Sequence, residues 1–208
     1  NNIGLVYSDQ GDKQTALNYY NQALTLSRQV GDKGGEANTL DNLGFLYSQL
    51  GEGQTALDYY NQALPLYRQV GDKWGEATTL SNMGRVYSQL GDKQTALNYY
   101  NQALTLSRQV GDKGGEANTL NSMGLLYSDL GDQQTALNYY NQALPLYQQV
   151  QYKWGEAAAL NNIGAIYSDR GDKQTALSYY NQVLPIVRQL GDKAVVAYVV
   201  YNIGLVYD

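Results

Sequence analysis

Asparagine recurs along the chain at a fixed spacing that suits hydrogen bonding to a ligand with a regular repeat. It precedes a Leu-Gly, Met-Gly or Ile-Gly pair, and only Ser122 interrupts the series. The members of this ladder are Asn2, Asn42, Asn82, Asn162 and Asn202. A primary amide donates and accepts hydrogen bonds at once, as the backbone of an extended peptide does. The ladder therefore predicts binding of a peptide backbone; the alternative is that its amides bond neighbouring helices.

The residue three positions after each ladder position changes from copy to copy. The set consists of Phe45, Arg85, Leu125, Ala165 and Leu205, in a background that is otherwise nearly constant. Such variation predicts pockets that select particular side chains of a ligand. To the same face we assign Asp41, Asn121, Asn161, Tyr198 and Tyr201.

The charges expected on this face favour a polar or weakly basic protein or peptide as the partner. Carboxylates at Asp9, Asp41, Asp129 and Asp169 oppose a single cation at Arg85 and leave a net charge of minus three. The whole chain carries a net charge of −5, which argues against nucleic acid because binding there depends on Lys and Arg neutralising phosphates. No apolar run approaches the ~18 residues that a membrane span needs.

The composition excludes most catalytic chemistry. The chain has no Cys and no His, which removes disulfides, thiol catalysis, most zinc and haem sites and the usual general base at neutral pH. Six further aspartates follow glycine at predicted helix starts, where they cap the helix and meet the positive end of its dipole. These are Asp12, Asp32, Asp72, Asp92, Asp112 and Asp132. We expect no catalysis, no cofactor and no metal.

The elements that position these side chains come from a 40-residue repeat. Glycine followed by an acidic residue recurs at 11, 51, 91, 131 and 171, each time before x-Gln-Thr-Ala-Leu. Within each copy, apolar residues recur at offsets of three and four in two runs, which predicts two helices. We expect helices near 33–50 and 53–70, others in register, a partial one at 1–10 and a last one at 193–208. At Gln151-Tyr152 the Gly-Asp pair is lost, which predicts the weakest turn and a different exit from the helix.

The pattern Leu43-Gly44-x-x-Tyr47, followed by Ala56, Tyr60 and Ala63, resembles the signature of the tetratricopeptide repeat. Every copy carries this set, with Val183 in place of the last alanine in the fifth. The period of 40 is longer than the family's usual 34. It is similar to that of kinesin light chains, Pins-type adaptors and cyanobacterial arrays attached to CHAT protease or signalling NTPase domains. The resemblance implies an all-α, right-handed α-solenoid of antiparallel helix pairs, with the ladder in its concave groove.

We expect residues 1–208 to form one array of five repeats and a partial sixth. The chain begins in mid-motif without Met, so we interpret it as a piece of a longer protein, and we expect a cytoplasmic location. The predicted function is a protein-interaction scaffold that binds an extended peptide in its groove. The alternatives are a structural spacer or self-assembly module, with head-to-tail contacts through the ends, and a regulatory or sensor array for an attached effector domain.

Overall fold

The computed structural model describes Tyr7 and residues 11–207, and that part of the chain is helical without any strand. The helices are α1 (Lys13–Val30), α2 (Lys33–Gln49), α3 (Gly53–Val70), α4 (Lys73–Gln89), α5 (Lys93–Val110), α6 (Lys113–Asp129), α7 (Gln133–Gln149), α8 (Lys153–Asp169), α9 (Lys173–Leu190) and α10 (Lys193–Tyr207). The predicted bounds are confirmed to within one residue. The partial helix at 1–10 lies outside the described residues apart from the helical Tyr7.

The helix starts are fixed by the predicted aspartate caps. Asp32 accepts a hydrogen bond from the backbone N–H of Gly35 at 2.9 Å, and Asp12 accepts one from Thr15 at 3.1 Å. The same three-residue offset holds at Asp72, Asp92, Asp112 and Asp132. Each such bond satisfies a backbone donor that the first turn of a helix leaves without a partner.

The turn at Gln151 corrects one expectation from the sequence. Gln151 adopts φ of 55°, the left-handed conformation that glycine takes elsewhere, as at Gly31 with φ of 71°. The backbone N–H of Tyr152 still donates to the carbonyl oxygen of Tyr147 at 2.9 Å. The expectation of a different helix exit is therefore wrong. Helix α7 ends one residue earlier in its copy than α3 does, and the turn closes in the same way.

The chain divides into two compact units, unit 1 up to Val110 and unit 2 from Gly111. In unit 1 the pairs α2/α3 and α4/α5 pack most extensively, while α1 packs on α2 and α3 on α4. In unit 2 the corresponding pairs are α6/α7 and α8/α9, with α7 on α8 and α9 on α10. Turns of two or three residues join the helices, so packed neighbours run antiparallel. Each unit is an α-solenoid of helix pairs.

Tyrosine fills the core of both units at two places in each helix pair. Tyr20, Tyr60, Tyr100 and Tyr140 are among the largest fully buried side chains. A second set stacks in pairs across the hairpin, such as Tyr47 on Tyr59 with ring centroids 5.3 Å apart. Together they hold the first helix of each pair at a fixed rotation, because a ring fits only one arrangement of its neighbours. That rotation decides which side chains the first helix leaves outside the core.

Candidate functional site

In each unit, the first helix of every pair leaves one face outside the core, which we call the first-helix face of that unit. It lies on α2 and α4 in unit 1 and on α6, α8 and α10 in unit 2. Its half-buried members are Asn42, Phe45, Asn82, Arg85, Asn121, Asn161, Asn162 and Asn202. Its exposed members are Leu125, Tyr198, Tyr201 and Leu205. Asp41 is buried, and Asn2 lies outside the described residues. The helices α2 and α4 contact each other in unit 1, as do α6, α8 and α10 in turn in unit 2.

In unit 2, ladder asparagines pair with amides on the preceding first helix. The Nδ2 atom of Asn202 donates to Oδ1 of Asn161 at 3.1 Å, and Nδ2 of Asn162 lies 3.5 Å from Oδ1 of Asn121. The two amides of each pair come from positions 41 residues apart. Hydrogen bonding between neighbouring helices, the alternative left open by the sequence, is thus present in unit 2. Each amide keeps further donors and acceptors, because a primary amide has two N–H groups and two lone pairs.

In unit 1, Asp41 is held inside a polar contact rather than presented on the surface. Its Oδ1 lies 2.8 Å from the hydroxyl of Thr79, which lies 2.8 Å from the carbonyl oxygen of Gly75 as well. Burial raises the pKa of Asp41 to about 6, although hydrogen bonds from Thr79 and Asn82 and the charge of Arg85 act against that rise. The expectation that Asp41 adds an exposed charge to this face is therefore wrong.

The number of hydrogens available for the two short contacts of Thr79 agrees with the raised pKa of Asp41. A hydroxyl has one hydrogen, so ionised Asp41 and the carbonyl of Gly75 compete for it. Protonated Asp41 can donate to Thr79, and Thr79 can then donate to Gly75. The neutral form therefore satisfies both short contacts.

Arg85 stacks against its neighbour on the first-helix face. Its guanidinium carbon lies 5.1 Å from the centroid of the Phe45 ring, within the range of a cation–π interaction. Its Nη2 lies 3.5 Å from Oδ1 of Asn82. Two of the variable positions predicted to select ligand side chains therefore contact each other in unit 1.

A tyrosine on α3 fills the space between α2, α3 and α4. The Tyr67 side chain is buried, and its hydroxyl donates to Oδ1 of Asn38 at 2.8 Å. Its ring lies so close to Gly75 that a Cβ there would overlap it. This glycine is required by close approach, because any larger residue displaces the ring.

The same arrangement recurs in unit 2 between α6, α7 and α8. The Tyr147 hydroxyl donates to Oδ1 of Asn118 at 2.9 Å, and its ring approaches Gly155 as closely. Tyrosine, asparagine and glycine thus act together to fill this space between helices.

The equivalent space between α8, α9 and α10 contains a cavity of about 330 Å³. Val187 stands where Tyr67 stands in unit 1, Val195 replaces Gly75, and Ala158 replaces Asn38. Val183, Val187 and Val199 are fully buried and form its floor, whereas Tyr198 and Trp154 are exposed at its edge. Its wall on α8 includes Asn161 and Asn162 of the first-helix face. The cavity joins an apolar floor to amide groups at its side.

Most of this cavity was missed in reading the sequence, although a signal was present. Of the residues that line the cavity, sequence analysis assigned only Asn161, Asn162 and Tyr198 to the predicted peptide-binding face. The return of Tyr67 as Tyr147 was visible, and so was its absence at Val187. The change of Gly75 to Val195 occurs in the same copy, so the loss of two matched residues together marks the position.

Buried glutamates at the starts of the first helices are structural ion pairs that the sequence reading also missed. Glu36 is bonded by Nε of Arg28 at 2.8 Å and Nζ of Lys33 at 2.9 Å. The hydrogen bonds from Arg28 and Lys33 hold the pKa of Glu36 below its ordinary value. In the last complete copy, Gln148 takes the place of the arginine beside Glu156. Among the described residues, no group of His, Cys, Asp or Glu could hold a metal ion.

The comparison with curated proteins found no match, whereas solved structures match well. BtubC from P. vanneervenii superposes with a TM-score of 0.74 at 23% identity, covering 91% of this chain and 78% of its own. A Rap protein complexed with Competence and Sporulation Factor gives 0.83 at 19% identity, covering 91% and 53%. A signal-transduction ATPase with numerous domains and a tetratricopeptide repeat sensor, from Pyrococcus horikoshii, gives 0.81 at 16%, covering 99% and 32%.

These likenesses establish the fold, and the chain spans about half the Rap protein and a third of the ATPase. None of the helices in the described ranges is long and apolar enough to cross a membrane.

The family model described as Tetratricopeptide repeat matches residues 1–69, 35–109 and 75–149, and a second model of that description matches 157–190. These matches extend over most of the sequence. The chain belongs to the tetratricopeptide repeat family.

Proposed function

We propose that the chain is a protein-interaction scaffold that binds an extended peptide segment along the first-helix face and has no catalysis of its own. The observation that carries the proposal is the pairing of amides in unit 2, Asn121 with Asn162 and Asn161 with Asn202. Each pair fixes the rotamer of two half-buried amides while leaving part of their bonding capacity unused. Binding side chains that are already ordered lose less conformational entropy when a ligand arrives.

The spacing of the amide pairs suits an extended chain. Packed helices lie about 8–10 Å apart, and an extended peptide rises about 3.3 Å per residue. One amide pair would therefore meet every third residue of the ligand. Backbone recognition of this kind tolerates many ligand sequences, and selectivity would come from exposed positions such as Leu125 and Leu205.

The partner chemistry that fits this face is polar to weakly basic. Asp169 is exposed at the end of α8, and the first-helix face of α6, α8 and α10 includes no lysine or arginine. Arg170, the next residue, directs its Nε to Gln133 at 2.9 Å. The structurally similar Rap protein was solved in complex with Competence and Sporulation Factor, which supports a partner of protein or peptide character.

The test begins with selection of displayed random peptides on the purified chain and measurement of their affinity by fluorescence anisotropy. The double variant Asn162→Ala and Asn202→Ala removes one amide from each pair in unit 2. We expect affinity to fall at least about tenfold, because hydrogen bonds of about 1 kcal/mol each are lost.

The matched control is Asn141→Ala, an exposed asparagine on the second helix α7. It should bind the selected peptides as the parent does. Unchanged affinity in the folded double variant, or an equal loss in the control, would reject the amide face as the binding surface.

A second candidate is a sensor array that regulates an attached effector domain. It is favoured by the likeness to the Pyrococcus horikoshii ATPase, whose tetratricopeptide repeats are described as a sensor. In that case the peptide would be a signal, and the reading frame around residues 1–208 would encode an effector.

Head-to-tail self-association also stays a prediction, to be measured by sedimentation over a wide concentration range. It would use exposed apolar side chains on α10 such as Val200 and Tyr207.

A further inference from the structure

We propose that the cavity between α8, α9 and α10 is an anchor site for a phenylalanine side chain of the bound segment. This inference deepens the proposed function and depends on it for the peptide backbone. It concerns the space lined by Val183, Val187, Val199, Ala158 and Asn161.

The repeat itself indicates what size of group this space holds. In the equivalent space of unit 1 the buried ring of Tyr67 lies between α2, α3 and α4. In unit 2 the ring of Tyr147 does the same between α6, α7 and α8. The helix spacing of this fold therefore accommodates an aromatic ring at this place. With Val187 the chain supplies no ring, and about 330 Å³ is left.

The volume is sufficient for a ring from a partner. An apolar cavity of about 150 Å³ in a protein core can bind benzene. The cavity is therefore large enough for a phenyl group and the first atoms of its backbone. Its edge at the exposed Tyr198 and Trp154 gives access from solvent.

The chemistry of the floor selects phenylalanine over tyrosine. A side chain that enters from the first-helix face points its tip at Val183 and Val187, both fully buried. Valine methyl groups accept no hydrogen bond, so a phenol hydroxyl placed there would lose its water without a new partner. The asparagine that receives the hydroxyl of Tyr67 in unit 1 is replaced in this copy by Ala158.

The experiment uses the whole chain, labelled at valine methyl groups, and a set of synthetic peptides followed by NMR. The probe is the acetylated and amidated peptide Ser-Gly-Ser-Phe-Ser-Gly-Lys-Gly-Ser. Matched peptides carry Tyr or Ala in place of Phe. We expect the probe to shift the methyl signals of Val187 and Val199, with affinity at least about tenfold weaker for Tyr and Ala.

Two variants close the cavity in different ways. Val187→Tyr combined with Val195→Gly rebuilds the pair that Tyr67 and Gly75 form in unit 1 and fills the space from within. Ala158→Leu obstructs the entrance from an exposed position and tests the site even if the double variant does not fold. Either folded variant should lose the preference for Phe over Ala.

The outcomes separate this inference from the proposed function. Equal binding of the Phe and Ala peptides, still weakened by Asn162→Ala with Asn202→Ala, would overturn the anchor site and leave the peptide-binding face intact. If the Phe peptide shifts the Val187 methyl signals equally in the parent and in the double asparagine variant, the result would support the cavity as a binding site and reject the amide face. No shift at Val187 or Val199 at millimolar probe, or an unchanged Phe preference in the filled variants, would overturn the inference.

Discussion

Two equivalent spaces in the repeat, one filled and one open, differ by a small set of matched residues. Between α2, α3 and α4 the ring of Tyr67 is buried against Gly75 and bonded to Asn38. Between α8, α9 and α10 valines stand in place of the ring and the glycine, and a cavity of about 330 Å³ is present. The comparison teaches that a repeat scaffold can contain a candidate binding site where one copy lacks a core side chain that other copies carry.

The largest expected effect comes from emptying the filled space. Tyr67→Val should lower the free energy of unfolding by about 3 to 4 kcal/mol, because a buried ring is lost and the helices cannot collapse fully into the gap. Urea denaturation and amide exchange in α2, α3 and α4 measure the change. Tyr207→Val is the control; its side chain is 73% exposed, and it should alter stability by less than about 0.5 kcal/mol. A loss at Tyr67 as small as the control's would show that the ring contributes little.

A second prediction concerns the buried contact between Asp41 and Thr79 in unit 1. The pKa of Asp41 is about 6 in the folded chain and near 3.8 without the fold. The folded state therefore binds the proton more tightly, and this contribution to stability falls as pH rises from about 4 to 6. Asp41→Asn, which introduces the residue type found at positions 121 and 161, should raise stability at pH 7 by about 2 kcal/mol.

The measurement is the difference in unfolding free energy between Asp41→Asn and the parent at several pH values. Taking the difference cancels the capping aspartates such as Asp12, whose pKa is lowered by its bond to Thr15 and whose contribution is lost as pH falls. The gain from the substitution should be largest above pH 6 and vanish near pH 4. A difference that does not vary with pH would mean that Asp41 titrates normally.

The smallest expected effect is a coupling between the two valines of the open space. Val187→Tyr alone should destabilise unit 2, because the new ring would overlap the Cβ of Val195. A Cβ at position 75 would overlap the ring of Tyr67 in the same way. Val195→Gly alone should also destabilise it, by about 1 kcal/mol. Together they should cost less than the sum by about 1 to 2 kcal/mol in a double-mutant cycle. Strict additivity would mean that the two spaces are not built alike.

The helices and their caps were predictable because their signals are local. A Gly-Asp turn followed by apolar residues at offsets of three and four determines both the start and the face of a helix. Gln151 shows the limit of that reasoning. Its left-handed φ of 55° is imposed by the packed helices on both sides and costs about 1–2 kcal/mol for a residue with a Cβ.

The site was less predictable because its contacts join residues about 30 to 40 positions apart. The helical position of Asp41 predicts that it lies on the first-helix face, yet its side chain is buried and bonded to the hydroxyl of Thr79, 38 residues later. The ladder asparagines were recognised from their spacing, but their bonds to Asn121 and Asn161 depend on the distance between helices. An unfilled volume is harder still to predict, since it depends on several side chains that are missing together.

The bond between Tyr67 and Asn38 has a consequence for how such arrays evolve. Ring and acceptor lie 29 residues apart within one hairpin, so a duplication of whole 40-residue segments copies both at once. Asn118 and Tyr147 form the same bond 80 residues later in the chain. Only the glycine that makes room for the ring is encoded in the next segment. A recombination joint at the Gly-Asp turn before that glycine can therefore combine a tyrosine hairpin with a valine neighbour, or the reverse, and relocate an open space along the gene in one event.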